Sequence, residues 1–306
     1  MKIKNINAAY CRNCLHTSIS VDLMVRFAKQ IDPNYDIYRQ TGFREGLPIP
    51  NQIAAQRIVE DMINTGRYID FVETLVQVDA KGYMGHRYSL KGLDNVVDGI
   101  IDEGFTFDKV SGQFFENQRE RISPNWGRLV DGDERKMTLL RIDIVGNSEL
   151  VKKNPMAKIE KSYNDLRGII KRAVTARLGR LWSLEGDGAL AAFLFGSMEK
   201  MAVYAGIEII HELFFYNRLH NTLESPLNIR IGAHIGPVRY SGSEMERLKN
   251  ETVKQTVSYE ALAKNNSLCV SYNLFITMDQ IVLKLFSPVK TSRSSVYRLY
   301  GLEVEK

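Results

Sequence analysis

Two acids in this chain stand where strand-type runs end. Met137 to Ser148 reads MTLLRIDIVGNS. An apolar run (Leu139, Leu140, Ile142, Ile144, Val145) carries Asp143 to its end, breaks at Gly146 and enters a polar-capped segment of helical type. A carboxylate where a buried strand gives out is costly unless something binds it. A glycine turn feeding a helix start adds backbone N–H groups that suit an anion. Carboxylate plus amide nest is what a metal–triphosphate complex needs; a solvated acid ending a core strand is the plain alternative. About forty residues on, Leu181 to Phe195 reads LWSLEGDGALAAFLF. Its two strand-like runs join at Gly186-Asp187-Gly188, a composition that permits a tight hairpin with the acid at its tip. A hairpin-tip Asp is common for turn chemistry alone. Paired with the Asp143 strand it gains a second meaning, because two acids on adjacent strands can hold two divalent ions for an in-line displacement.

With these motifs in order, the chain resembles the class III nucleotidyl cyclases (adenylate and guanylate cyclases) over roughly Met137 to Val304. The resemblance comprises Asp143-Ile144-Val145-Gly146, a long helical stretch, Glu185-Gly186-Asp187-Gly188 with Phe193, a second helix, and NIRIGAHIGPV from Asn228 to Val238. It implies an α+β fold, a ferredoxin-like cyclase domain with an antiparallel-rich sheet and flanking helices. It further implies that Asp143 and Asp187, with the carbonyl of Ile144, hold two Mg²⁺ or Mn²⁺ ions. The amides of Val145, Gly146, Asn147 and Ser148 would stabilise the departing pyrophosphate as a nucleoside triphosphate becomes a 3′,5′-cyclic nucleotide. Family sites form between two domains, so a single such domain implies a head-to-tail homodimer with two sites.

The family's transition-state helix is where the chain departs from the pattern. On a gap-free count over Val253 to Ser271, Lys254 and Ser258 stand where the family has asparagine and arginine. Ser258 cannot stabilise phosphoryl charge as a guanidinium does; Lys254 still brings a cation one turn earlier. The base-reading positions hold Ser183 and Arg247. Arginine has five donors and no acceptor, which suits an acceptor-rich edge such as that of uracil or cytosine. That leans toward the pyrimidine cyclases of bacterial anti-phage signalling. Two alternatives stay open: the loop Ser241 to Asn250 aligns differently, or Arg247 holds the triphosphate. His234 matches a family histidine and is expected to pack within a strand.

Length and composition set bounds around this reading. With 306 residues, 44% hydrophobic and 25% charged, the chain is an ordinary globular protein of one large or two modest domains. No apolar run approaches bilayer-spanning length and no signal-type segment opens the chain, so no membrane partner and a cytoplasmic setting are the expectation. A net charge of +5 helps hold nucleotides without arguing for nucleic acid. Cys11 and Cys14 form C-x-x-C with His16 nearby, short of four zinc ligands; reduced thiols in a mobile or half-buried segment are expected, and Cys269 is read as core.

Three segments follow: residues 1–122 as a small, mostly helical domain, 123–136 as a linker, 137–306 as the cyclase-like domain. In the first, helices are expected over Val21–Ile31, from Pro50 to Gly66, over Tyr68–Val78 and over Leu93–Ile101, with a short hairpin or wing at GYMGHRYSL and a β element over Gly104–Phe115. Helices followed by a wing suggest a winged-helix-like domain. Its candidate recognition helix carries Asp70, Glu73 and Asp79, which argues against DNA and for a regulatory, dimerising or partner-docking role. Two rival functions are a catalytically silent nucleotide-binding module and a DNA-binding regulator under nucleotide control.

Overall fold

The computed structural model describes residues 3–109, 111–184, 188–289 and 297–301, the last five by their backbone. The chain divides into two compact units, Met1–Leu129 and Val130–Lys306.

The first unit begins with a helix that the sequence reading lacks, α1 (Asn5–Ser18), followed by α2 (Val21–Ile31) and α3 (Ile37–Thr41). Then come α4 (Asn51–Asn64), α5 (Tyr68–Lys81), α6 (Leu93–Ile101) and an antiparallel hairpin of β1 (Phe105–Asp108) and β2 (Gln113–Glu116). Cys11 and Cys14 are fully buried free thiols on α1. They lie among Ala8, Leu15, Phe27 and Ile58 in the unit's core, not in a mobile segment. Burial pushes both thiols up, Cys14 to about 12, which makes them inert.

Helix α5 sits at the centre of this unit. Tyr68, Ile69, Phe71, Val72, Glu73, Leu75 and Val78 are all buried, so most of α5 packs into its own unit, with the acid Glu73 turned inward. The expected wing at GYMGHRYSL reduces to one antiparallel bridge between Tyr83 and His86. The segment 123–136, expected as a linker, divides between the two units. Trp126 is fully buried, and the Arg128 guanidinium donates to both Glu73 oxygens at 2.7 and 2.8 Å and to Asp70. Beyond Leu129 the second unit begins almost at once with a strand.

The second unit runs β3 (Glu134–Ile144), α7 (Asn147–Lys153), α8 (Met156–Thr175), β4 (Arg180–Ser183), β5 (Gly188–Phe193), α9 (Met198–Leu219), β6 (Ile229–Arg239), α10 (Glu244–Leu248) and α11 (Glu251–Ala261). It closes with β7 (Ser267–Val270), α12 (Tyr272–Phe275), α13 (Gln280–Leu283), β8 (Ser287–Val289) and β9 (Tyr297–Gly301). The sheet order is β4-β5-β3-β6-β7-β9-β8. Every pairing is antiparallel except β6 with β7. The unit therefore has the expected α+β architecture, an antiparallel-rich sheet with flanking helices.

Strand alternation gives the sheet two unlike faces. Leu140, Ile142 and Ile144 of β3, Ala189, Ala191 and Phe193 of β5, and Ile229, Ile231, Ala233 and Ile235 of β6 face one core. Helices α8 and α9 cover it through Leu166, Ile170, Val174, Ile209 and Leu213. The other face of β3 and β6 is met by α11. A Cβ on Gly232 would lie 2.2 Å from the Glu260 nitrogen and 2.5 Å from the Thr256 carbonyl, and one on Gly236 would lie 2.7 Å from Thr256's counterpart one turn back, the Thr252 hydroxyl. The glycines of IGAHIG thus serve close approach: four residues apart on a strand, they admit a helix whose contact residues are also four apart.

Candidate active site

The candidate site residues on β3 lie on that second face, at the strand's end. Asp143 is the last residue of β3 on this side, opposite Gly188 of β5 and Arg230 of β6. Arg230 donates from Nη2 to Asp143 Oδ2 at 2.9 Å, and its Nε stands 2.9 Å from Glu260 Oε1 on α11. The second contact is an ion pair without hydrogen-bond alignment, since both atoms are buried and lack a hydrogen-bond partner. Burial raises the Glu260 carboxyl above the usual carboxylate range; Arg230 opposes the shift, Asp143 adds to it, and Arg141 opposes it more weakly.

A fourth charge completes the row. Arg141 lies two residues before Asp143 on the same face, and its guanidinium rests on Gly188. A Cβ there would meet Arg141 Nη2 at 2.5 Å and Cζ at 2.9 Å. Gly188 has no side chain to displace that guanidinium from where it lies. Arg141 makes no hydrogen bond or ion pair with the described residues, and its buried Nε is unpartnered.

After β3 the chain turns at Gly146, whose φ of 69° is left-handed and explains the glycine. The Val145 amide is committed to the Asn228 carbonyl at 2.8 Å. That removes Val145 from the expected amide nest and leaves Gly146, Asn147 and Ser148. Pairing of β3 with the segment before β6 continues one residue beyond the strand, which is the reason. The Asn147 side chain accepts a hydrogen bond from the Tyr163 hydroxyl of α8, which fixes the start of α7. Ile144, the expected carbonyl ligand, sits opposite Ile229 with its side chain in the core. Asp187 lies outside the described residues; it directly precedes Gly188 in the sequence.

Among the described residues no group of three or more His, Cys, Asp or Glu is arranged to hold a metal ion. The donor present is of the right kind for a hard, oxygen-seeking cation. Asp143 is partly exposed (20%), its Oδ1 accepts no hydrogen bond from a described residue, and the space above Gly146 is open.

Ser183 and Arg247, expected to read the base, come together. Arg247 Nη2 points at the Trp182 carbonyl, at 3.4 Å, one residue before Ser183. Arg247 is only 5% exposed. Its Nη1 donates to the carbonyls of Ser241 and Gly242 at 2.8 and 3.0 Å, and the guanidinium lies over the rings of Trp182 and Tyr240. The loop 241–250 has folded back on its own arginine, so in this conformation Arg247 presents no outward donor to a base edge. Lys254 is exposed on α11, 3.7 Å from Glu251, and the Ser258 hydroxyl donates to the Gln255 carbonyl at 2.7 Å. Neither meets Asp143 within the chain. His234 is buried against Tyr259, and burial pulls its imidazole below the ordinary value, the behaviour of a packing residue.

Sequence reasoning passed over Arg141, Arg230 and Glu260. The strand period puts Arg141 and Asp143 on one side, which was a usable signal for the first. Nothing local announces that Glu260, from a later helix, joins them.

No family model and no curated protein matches the chain. Among solved structures it is similar to the catalytic core of a rhodopsin-guanylyl cyclase with converted specificity in complex with ATPαS. That match has 18% identity and a TM-score of 0.48, covering 57% of this chain and 100% of that one. It is also similar to the guanylyl cyclase Cya2 (21%, TM-score 0.47, 57% and 96%). A third match is an adenylate/guanylate cyclase/hydrolase from Silicibacter pomeroyi (20%, TM-score 0.46, 56% and 100%). Among the described residues no helix is long and apolar enough to cross a membrane.

Proposed function

We propose that the second unit is a nucleotidyl cyclase, converting a nucleoside triphosphate to a 3′,5′-cyclic nucleotide and pyrophosphate. The observation that carries this reading is the register Asp143↔Gly188. It pairs the acid ending β3 with the residue directly after Asp187, beside a turn whose amides at 146–148 suit phosphate oxygens.

Asp143 and Asp187, with the Ile144 carbonyl, would hold two Mg²⁺ or Mn²⁺ ions. Such ions acidify the ribose 3′-hydroxyl and neutralise the leaving group. The 3′-oxygen forms its bond to the α-phosphorus, and the bond from that phosphorus to the bridging oxygen breaks with its electron pair going to pyrophosphate. The hydroxyl proton passes through water and ends on the pyrophosphate. Gly146, Asn147 and Ser148 orient the departing phosphates.

Lys254 projects from α11 into solvent, away from Asp143's own partners. It therefore serves the site of a second copy, in a homodimer with two sites between the subunits. Ser183 and Arg247 form the wall of the base pocket. A pyrimidine triphosphate is the first candidate, because arginine's donors suit the oxygens of uracil or cytosine once the 241–250 loop releases Arg247. The helical first unit, with most of its central helix packed inside it, acts as a regulatory or partner-docking module.

The test is incubation of the protein with ATP, GTP, CTP and UTP, each with Mn²⁺, followed by chromatography for cyclic product. One nucleotide should be cyclised, and Asp143→Asn should abolish the activity. Product formation that survives this substitution overturns the metal-site assignment, and no product from any nucleotide favours the silent binding module.

A further inference from the structure

Four charges line the sheet face at Asp143, and they are unequally engaged. Arg230 is held by Asp143 on one side and Glu260 on the other, at 2.9 Å each. Its charge is answered within the chain, and so are theirs. Arg141 forms no such pair: no described carboxylate lies within ion-pair distance, its buried Nε has no hydrogen-bond partner, and its charge acts on Glu260 only from further off. Yet its guanidinium rests on Gly188, the residue facing Asp143 across the strands. Directly opposed Cα atoms in an antiparallel pair are about 5 Å apart. The guanidinium is therefore a close neighbour of the acid, on the side away from Arg230.

A half-covered guanidinium with no ion pair and an unpartnered Nε is costly, and a ligand that pairs with it lowers that cost. The ligand that this row lacks is an anion with several oxygens. Arginine's planar fork matches phosphate oxygens in pairs. On the helix side of the same sheet, the position where a guanidinium is expected from the resemblance holds Ser258, its hydroxyl turned to Gln255.

We propose that Arg141 contacts the phosphate chain of the substrate and supplies the guanidinium that α11 lacks, as a catalytic residue. This rests on the cyclase reading above. As the bond between the 3′-oxygen and the α-phosphorus forms and the bond to the bridging oxygen breaks, negative charge grows on the non-bridging oxygens. A guanidinium lying over Gly188, beside Asp143, is placed to stabilise that charge. Gly188 takes part by leaving the room in which the guanidinium lies.

The experiment compares Arg141→Gln, Arg141→Lys and Arg141→Gln/Ser258→Arg with the unaltered full chain. It reads turnover of whichever triphosphate is cyclised, calorimetric affinity for inorganic tripolyphosphate in Mg²⁺, and melting temperature. Arg141→Gln should lower kcat by roughly a hundredfold, the usual cost of one transition-state donor. It should weaken tripolyphosphate binding by roughly tenfold, as loss of a charged hydrogen-bond pair does. Arg141→Lys should restore more of the binding than of the turnover, because a point charge replaces a fork. Arg141→Gln/Ser258→Arg should recover turnover over Arg141→Gln alone. Unchanged tripolyphosphate affinity in Arg141→Gln overturns the proposal, as does a loss of turnover matched by a loss of folding. If the unaltered chain cyclises nothing, the cyclase reading fails by itself, and the tripolyphosphate comparison still decides whether Arg141 grips phosphate.

Discussion

Each unit gathers a small cluster of charges around an arginine, and the two clusters are completed differently. In the first unit Arg128 is 7% exposed and bridges Asp70, Glu73 and the Phe114 carbonyl. Phe114's amide in turn donates to Glu73 at 2.7 Å. Both acids hold the Arg128 charge in place, shifting its proton affinity upward against the effect of burial. These partners belong to the same unit, and the cluster joins α5 to the β1–β2 hairpin. In the second unit Arg230 is similarly bridged by two acids, but among the described residues Arg141 forms no ion pair and Asp143 Oδ1 accepts no hydrogen bond. A cluster that serves the fold closes on itself, because an unanswered buried charge costs stability and returns nothing. A cluster that leaves charge open is arranged for something that arrives later.

That contrast can be broken in several ways. The largest effect is expected from Asp143→Asn: cyclase turnover should fall at least about a thousandfold, since metal-held charge stabilisation is worth several kcal/mol. Next, Arg128→Met should destabilise the first unit by about 3–5 kcal/mol, as removal of one partner from a buried ion pair does, seen as an earlier unfolding transition in urea. Arg141→Gln should by comparison shift stability by no more than about 0.5 kcal/mol in the same titration. If the two arginines cost the same, the distinction between closed and open clusters is lost.

Gly232→Ala comes third. Its methyl must push against the backbone of α11, and about 2–3 kcal/mol of stability should go with it, readable by calorimetry of the second unit. The smallest effect concerns His234. Its imidazole sits below the ordinary value in the fold, so the unfolded chain takes up a proton first as pH falls. The stability tied to this group is whole above about pH 6.5 and declines below it, down to the folded value. Melting between pH 7.5 and pH 5 should steepen with acid more in the unaltered protein than in His234→Gln. Equal slopes would remove the histidine from the account.

The strand ending in Asp143 was legible because a period-two apolar run, a glycine and a polar helix start are local signals. The helices at Val21–Ile31 and Leu93–Ile101 were legible for the same reason. Helix α1 was missed because its buried residues include Asn7, Cys11 and Cys14. These do not make an apolar stripe, and it is the surrounding core that makes them helical. Tyr68–Val78 looked like a recognition helix in order and length. Only packing from several sides showed that its acid Glu73 points inward to Arg128. Arg247 was read by its donors alone, and the loop that captures those donors is formed by neighbours no pattern ranks.

The sequence by itself determined the alternation of strands and helices, the two glycines that let α11 lie against β6, and the presence of an acid where β3 stops. Each of these follows from side-chain period, backbone freedom or the cost of a charge, which are properties of short stretches. Tertiary structure alone decided which charges are answered. Whether Asp143 meets Arg230, whether Glu260 joins them and whether Arg141 forms an ion pair depend on the register of three strands and the seat of one helix. Electrostatic energy is set by distance through space, and separation along the chain does not encode it.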